Sequence, residues 1–211
     1  WLGQNAGASG TLYLNGGLVQ ATIVQPSATP TTSIAYFNGG TLQAAGNSGD
    51  FIQVTSMVMS NGLVLDDGGF VDSLITAQLQ PGDAFNGGMV KQGAGTIYLD
   101  NANTYTGTTL VSGGTLAGIG GITGPVVAGP GGTIGAGNAG MGILTINNSL
   151  TIQGKAAMRI DKTGGGLNSD LITGLSTATY GGTLVISNIT SDATPLVARD
   201  TFTLFSATTH S

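Results

Sequence analysis

The side chains best suited to chemistry in this 211-residue chain are Arg159, Asp161 and Lys162, with Asp170 close behind them. Arg159 and Asp161 alternate, so on a strand they share one face. Two carboxylates converging beside a cation would serve a polysaccharide lyase or hydrolase, one moving a proton and the other stabilising charge. The same trio also describes a solvent-exposed ion pair worth ~0–1 kcal/mol, and that commoner arrangement is the expectation. Asp66, Asp67 and Asp72 form a second carboxylate cluster, around an Asp-Asp-Gly-Gly turn. His210 is the only histidine and lies one residue from the end. No Asp and Ser assemble with it into a triad, so it reads as a frayed tail.

Two glycine-rich turns, 164–170 and 46–50, carry the oxygen-bearing side chains of a calcium loop. Calcium takes roughly 6–8 oxygens. Without tandem copies to share ligands, each turn reads as a plain corner, and no metal or other cofactor is expected. A phosphate-binding loop is excluded, because no Gly-Lys-Ser or Gly-Lys-Thr precedes a helix. The sequence is not expected to be that of an enzyme.

These side chains sit on an unusual background. Glycine supplies 38 residues without a Gly-X-Y period, so collagen is excluded. Hydrophobic residues reach 40% and charged residues only 7%, the reverse of a disordered chain. All 10 acids are Asp, which suits turns, and none is Glu, which suits helices. A net charge of -5 with 5 basic residues cannot neutralise a phosphate track, which argues against nucleic acid. No apolar run reaches the ~18 residues of a membrane helix, and no polybasic segment suits an anionic membrane. With no cysteine, disulfides and thiolate metal sites are excluded. The chain begins at Trp1 without an initiator Met and is expected to be a processed piece of a longer precursor.

A turn–Thr–Leu phrase recurs as Gly10-Thr11-Leu12, Gly40-Thr41-Leu42, Gly95-Thr96-Ile97, Gly114-Thr115-Leu116, Gly132-Thr133-Ile134 and Gly182-Thr183-Leu184. From Gly95 to Gly114 is a step of 19, from Gly114 to Gly132 a step of 18, and a further 18 reaches Leu150. Short strands at near-constant spacing, with no helical pattern between them, predict stacked rungs. Asn-Gly-Gly at 15–17, 38–40 and 86–88 would make the corners, with Asn able to stack in ladders. Before residue 88 the pattern is less regular. Pro26 and Pro30 frame a bulge over 25–33, and 73–80 fits a strand at least as well as a helix. Strands are expected over 51–58, 63–65, 125–128, 133–136, 144–152, 156–160, 182–186 and 201–205. The organisation expected is irregular rungs over 1–88 and regular rungs over 89–211, in one continuous solenoid. Recurrent Gly-Thr, Thr31-Thr32 and Thr108-Thr109 would form Thr ladders, read as sheet stabilisation in preference to an ice-binding surface.

The stretch 89–118, MVKQGAGTIYLDNANTYTGTTLVSGGTLAG, carries a specific wording. Lys91, Gly93, Gly95 and Thr96, then Asn103, Thr104, Tyr105, Thr106 and Gly107, then Gly114, Thr115 and Leu116 resemble the autotransporter-associated β-strand repeat of bacterial passenger domains. The Gly usual before the Asn-Thr-Tyr-Thr-Gly run is replaced around Asn101-Ala102. The resemblance is specific over about thirty residues, looser over 115–207 and faint before 88. It implies an all-β fold, a right-handed parallel β-helix, secreted or displayed on a bacterial surface.

The expected role is structural: a rigid stalk, or a filament built by end-to-end association through Trp1, Leu2, Phe202, Leu204 and Phe205. The alternative is an adhesin-like segment binding glycans or surface proteins through Asn and Tyr side chains, Tyr36 and Tyr105 foremost. A glycan-active enzyme built on Arg159, Asp161 and Asp170 ranks third. Neither nucleic acid nor membrane insertion is expected.

Overall fold

Four-residue stretches that alternate apolar and small polar side chains, separated by Gly, Asn and Asp, fold here as strands. The computed structural model describes residue 2 and residues 9–26, 33–70, 73–75, 77–85 and 87–211, with only the backbone of 73–75. Trp1, Pro30, Thr31, Thr32, Asp72 and Asn86, which figured in the sequence reading, lie outside the described residues.

The chain climbs rung by rung. The first three rungs contribute β1 (Thr11–Leu14) and β2 (Leu18–Ala21), β3 (Ile34–Phe37) and β4 (Thr41–Ala44), and β5 (Thr55–Val58) and β6 (Leu63–Asp66). Triplets follow: β7 (Ser73–Ile75), β8 (Leu79–Pro81) and β9 (Met89–Gln92), then β10 (Thr96–Leu99), β11 (Ala102–Asn103) and β12 (Thr109–Val111). The next are β13 (Gly114–Ala117), β14 (Gly121–Ile122) and β15 (Val126–Ala128), then β16 (Gly132–Gly135), β17 (Ile143–Ile146) and β18 (Leu150–Ile152). The last rungs hold β19 (Lys155–Asp161), β20 (Asn168–Ser169), β21 (Leu171–Tyr180), β22 (Thr183–Asn188) and β23 (Phe205–His210). One short 3-10 turn, Thr163–Gly165, is the only helical element among the described residues.

Three parallel stacks result. One runs β2, β4, β6, β9, β12, β15, β18, the second half of β21 and the end of β23. A second runs β7, β10, β13, β16, β19 and β22. The third begins β1, β3, β5, β8 and resumes as β11, β14, β17 and the first half of β21, with β23 last. Only the β19–β20 pair is antiparallel among the named strands. The all-β expectation therefore holds as a parallel β-solenoid. Pairing crosses residue 88, with β6 on β9 and β7 on β10.

Inward side chains form continuous rows. Ile97 stands opposite Leu116, Leu116 opposite Ile134 and Ile134 opposite Ala156, all essentially without solvent exposure. One rung cannot bury its apolar face alone; the neighbour above and below completes it. On the outside, Asn38 donates to Asn15 (3.4 Å) and Asn61 to Asn38 (2.9 Å), the ladder expected of the Asn-Gly corners. Gly39 takes the left-handed conformation there, with φ +91°. A threonine row also forms, with Thr96 opposite Thr115 and Thr115 opposite Thr133.

Three sequence expectations are corrected. The steps of 19 and 18 pair Thr96 with Thr115 and Gly114 with Gly132, as expected, but the third step does not reach Leu150. Leu150 belongs to the neighbouring stack, opposite Val126 and Ala178, and Thr133 faces Lys155 instead. The excursion between β16 and β17 lengthens that rung. The last strand begins at Phe205, four residues later than the expected 201–205 stretch. His210 is consequently not frayed: it ends β23, with its Nδ1 2.8 Å from the Tyr180 hydroxyl and its ring stacked on that of Tyr180.

Candidate functional site

The repeat motif builds a buried latch. On β9, Met89 and Lys91 fall on the inward parity, so the lysine side chain enters the core at a position that should be apolar. The residue that receives it, Asp67, continues the inward parity of Leu63 and Leu65 one step past β6. Both side chains are completely buried. The Lys91 ammonium pairs with Asp67 Oδ2 and donates to the carbonyls of Gly95 (3.0 Å), Gly113 (2.9 Å) and, more weakly, Gly93 (3.3 Å). Asp67 Oδ1 accepts from the N–H groups of Gly69 (2.7 Å) and Gly95 (2.9 Å). One ion pair thus joins the corners of three successive rungs and leaves neither charge without partners. Burial pulls the Lys91 pKa below the usual lysine value, against the hydrogen bond and charge of Asp67. Asp66 lies on the outward side, where Gln43 (2.9 Å), Gln92 (3.1 Å) and the Gly68 N–H (2.8 Å) bond its carboxylate. Partial burial resists ionisation of Asp66, but these bonds outweigh it and hold the carboxyl below its ordinary value.

The rest of the motif secures the opposite corner. Asn103 is buried, accepts from the Leu79 N–H (3.0 Å) and donates to Asn101 (2.9 Å) and Gly121 (3.1 Å). Its side chain therefore bridges β8, β11 and β14, where backbone pairing of the third stack is interrupted. Thr104 N–H donates to Leu79 O (2.9 Å) and Gly107 N–H to Gly87 O (3.2 Å). Tyr105 is fully buried, with its hydroxyl 2.6 Å from that of Thr109. Burial pushes the Tyr105 phenol up to about 12. Thr96 and Thr115 extend the ladder, their N–H groups bonded to Phe70 O (3.2 Å) and Gly95 O (2.9 Å), and Leu116 is core. Thr106 is exposed at the corner.

This geometry can hold rungs together. Tyr105, read from sequence as a sugar-stacking residue, is inaccessible. Tyr36 stacks on the exposed Tyr13 ring at 5.0 Å, so one of its faces is already covered. The Arg159, Asp161 and Lys162 trio is split among separate partners. Arg159 grips Asp170 through Nε (2.8 Å) and Nη2 (3.0 Å), Lys162 reaches Asp200 (2.8 Å), and Asp161 accepts from the Thr163 N–H (2.9 Å). Arg159 thus takes the buried Asp170 as its partner, in place of the exposed pair expected within the Arg159, Asp161 and Lys162 trio. Nor do three acidic or histidine side chains converge anywhere among the described residues. No described helix is long and apolar enough to cross a membrane.

Residues 89–117 match the family model of the passenger-associated transport repeat. The match opens on the first residue of β9 and closes on the last of β13, so it takes in Lys91 and the Gly93, Gly95 and Gly113 carbonyls of the latch, while Asp67 lies one rung before it. Over these residues the chain is similar to a passenger-associated transport repeat. No curated protein and no solved structure matches it.

The proposed end-face residues divide. Leu2, Leu204 and Phe205 pack partly against the core, and Phe205 meets Tyr180 edge-on at 5.4 Å. Three open apolar side chains at the C-terminal end were not singled out from sequence as end-face residues: Leu184, Val185 and Ile186 on β22, each more than 40% exposed. The signal available was the Gly182-Thr183-Leu184 phrase, which marks a rung but not that it is the outermost one of its stack.

Proposed function

We propose that this chain is a rigid, non-enzymatic structural segment of an exported bacterial passenger protein, serving as a stalk on the cell surface. The observation that carries this reading is the latch in which Lys91 of the matched repeat forms a buried ion pair with Asp67 of the preceding rung and fastens the two together. The other ion pairs do similar work, Arg159 with Asp170 and Lys162 with Asp200 each pinning a loop to β19. At ~4.8 Å per rung, the nine strands from β2 to β23 give an axis of ~40 Å. Small-angle X-ray scattering on a dilution series tests the stalk. A longest dimension of ~40 Å that stays constant across the series supports it; a flexible profile overturns it.

A second reading, end-to-end assembly into an extracellular filament, is favoured by the open apolar side chains of β22. Unpaired strand edges template further strands, and a head-to-tail contact that does not close makes an open polymer.

A further inference from the structure

We propose that the outer face of β10, β13, β16, β19 and β22 carries a binding site for a neutral, hydroxyl-rich glycan, seated in the groove between Tyr98 and Arg159. The site lies on the side of the solenoid and does not depend on the stalk reading.

A cavity of about 240 Å³ opens on this face. Its floor is a row of small residues. Tyr98 stands opposite Ala117, a Cβ added to Gly135 would meet that of Ala117 at 3.6 Å, and Gly135 stands opposite Ala157. Spanning five strands, the groove runs ~19 Å along the axis, the reach of a short oligosaccharide. Half-buried Tyr98 brings an aromatic ring to one end.

The opposite wall is preorganised. Asp170 holds Arg159 Nε and Nη2, and Nη2 also bonds the carbonyls of Ala136 (2.8 Å) and Gly140 (2.6 Å). Arg159 Nη1 makes no hydrogen bond to any described residue, nor do the hydroxyls of Thr115 and Ser187, which line the same cavity. A planar donor pair held in place, two unspent hydroxyls and an aromatic ring match the vicinal hydroxyls and C–H faces of a sugar. Asp170 cancels the Arg159 charge, so the wall selects neutral ligands over anions. A peptide strand is disfavoured because β13, β16 and β19 are paired on both edges and offer no main chain to join.

The test is amide chemical-shift titration with maltohexaose, cellohexaose and chitohexaose, and with an oligogalacturonate as the acidic counterpart. The expected result is saturable shifts at Tyr98, Ala117, Gly135 and Ala157 with at least one neutral sugar. Ala157→Tyr, which fills the groove, should weaken binding by roughly tenfold or more without shifting the melting curve. Should that variant lose its fold, Thr115→Val and Ser187→Ala carry the test with the same expected weakening. The proposal is overturned by no shifts with any neutral sugar at ~10 mM, by preference for the oligogalacturonate, or by wild-type binding in the folded variants.

Discussion

Lys91 and Asp67 meet in the core of the solenoid with neither side chain reaching water, 24 positions apart in sequence and one rung apart in space. The pair is held by backbone N–H and C=O groups from the corners at Gly69, Gly95 and Gly113. Removing one partner strands the other charge in a dry site. Lys91→Met should therefore destabilise the protein by ~3–5 kcal/mol. Lys91→Met with Asp67→Asn should recover part of that loss, since no uncompensated charge remains. Urea midpoints of the two variants decide the matter; a single variant as stable as wild type would remove the latch from the account.

Gly95 sits where this corner is tightest. A Cβ there would overlap the Phe70 carbonyl oxygen, which is backbone and cannot step aside. Gly95→Ala should cost more than ~2 kcal/mol and raise hydrogen exchange at Thr96 and Thr115, whose N–H bonds run through this corner. Gly49 is the matched control, with nothing within 4 Å of its added Cβ. Gly49→Ala should stay within ~0.5 kcal/mol of wild type.

Tyr105 makes stability depend on alkaline pH. Its folded pKa is raised by burial to about 12 from an ordinary 10.0, so the unfolded chain loses this proton first. The contribution is complete below pH 10 and is lost as pH rises toward 12. Its full size is ~3 kcal/mol. Tyr105→Phe leaves the Thr109 hydroxyl without its partner and should cost ~1–2 kcal/mol at neutral pH. It should also flatten the decline between pH 10 and 12. Parallel alkaline limbs in the two proteins would place the sensitivity elsewhere.

The strands of this solenoid were legible because a period of two and glycine-rich corners are local signals. Thr96–Leu99 and Thr115–Leu116 could be placed from alternation alone. The pairing of rungs was legible only where their lengths were equal. Between β16 and β19 the excursion at 137–142 broke the count, and the error at Leu150 followed. The latch was half visible: Lys91 follows Met89 at the inward parity of β9, which already buries it. Its partner was not, because the Asp66-Asp67 turn offers two carboxylates. Parity with Leu63 and Leu65 turns Asp67 inward, but only the register Leu65↔Lys91 brings it beside the lysine. The Arg159–Asp170 pair was out of reach for a related reason, since the chain turns back at Gly164–Gly166 and brings β20 antiparallel to β19. Strand alternation had instead put Arg159 with Asp161.

The open end of the β22 stack yields the last prediction. Ile186 stands opposite the buried Met158, on the inward row, yet remains 42% exposed because no described strand covers it. Another rung arriving there in parallel register would complete that row, as β19 completes it for β16. Ile186→Lys should cost no more than ~1 kcal/mol, because the lysine stem can cover Met158 while its charge stays in water. A second strand could not then dock without burying the ammonium. Sedimentation equilibrium should show wild-type mass rising with concentration and Ile186→Lys remaining monomeric. Monomeric behaviour of both would remove the filament and leave the stalk. Growth of both would move the contact to another surface, because an end-on stack cannot tolerate that charge.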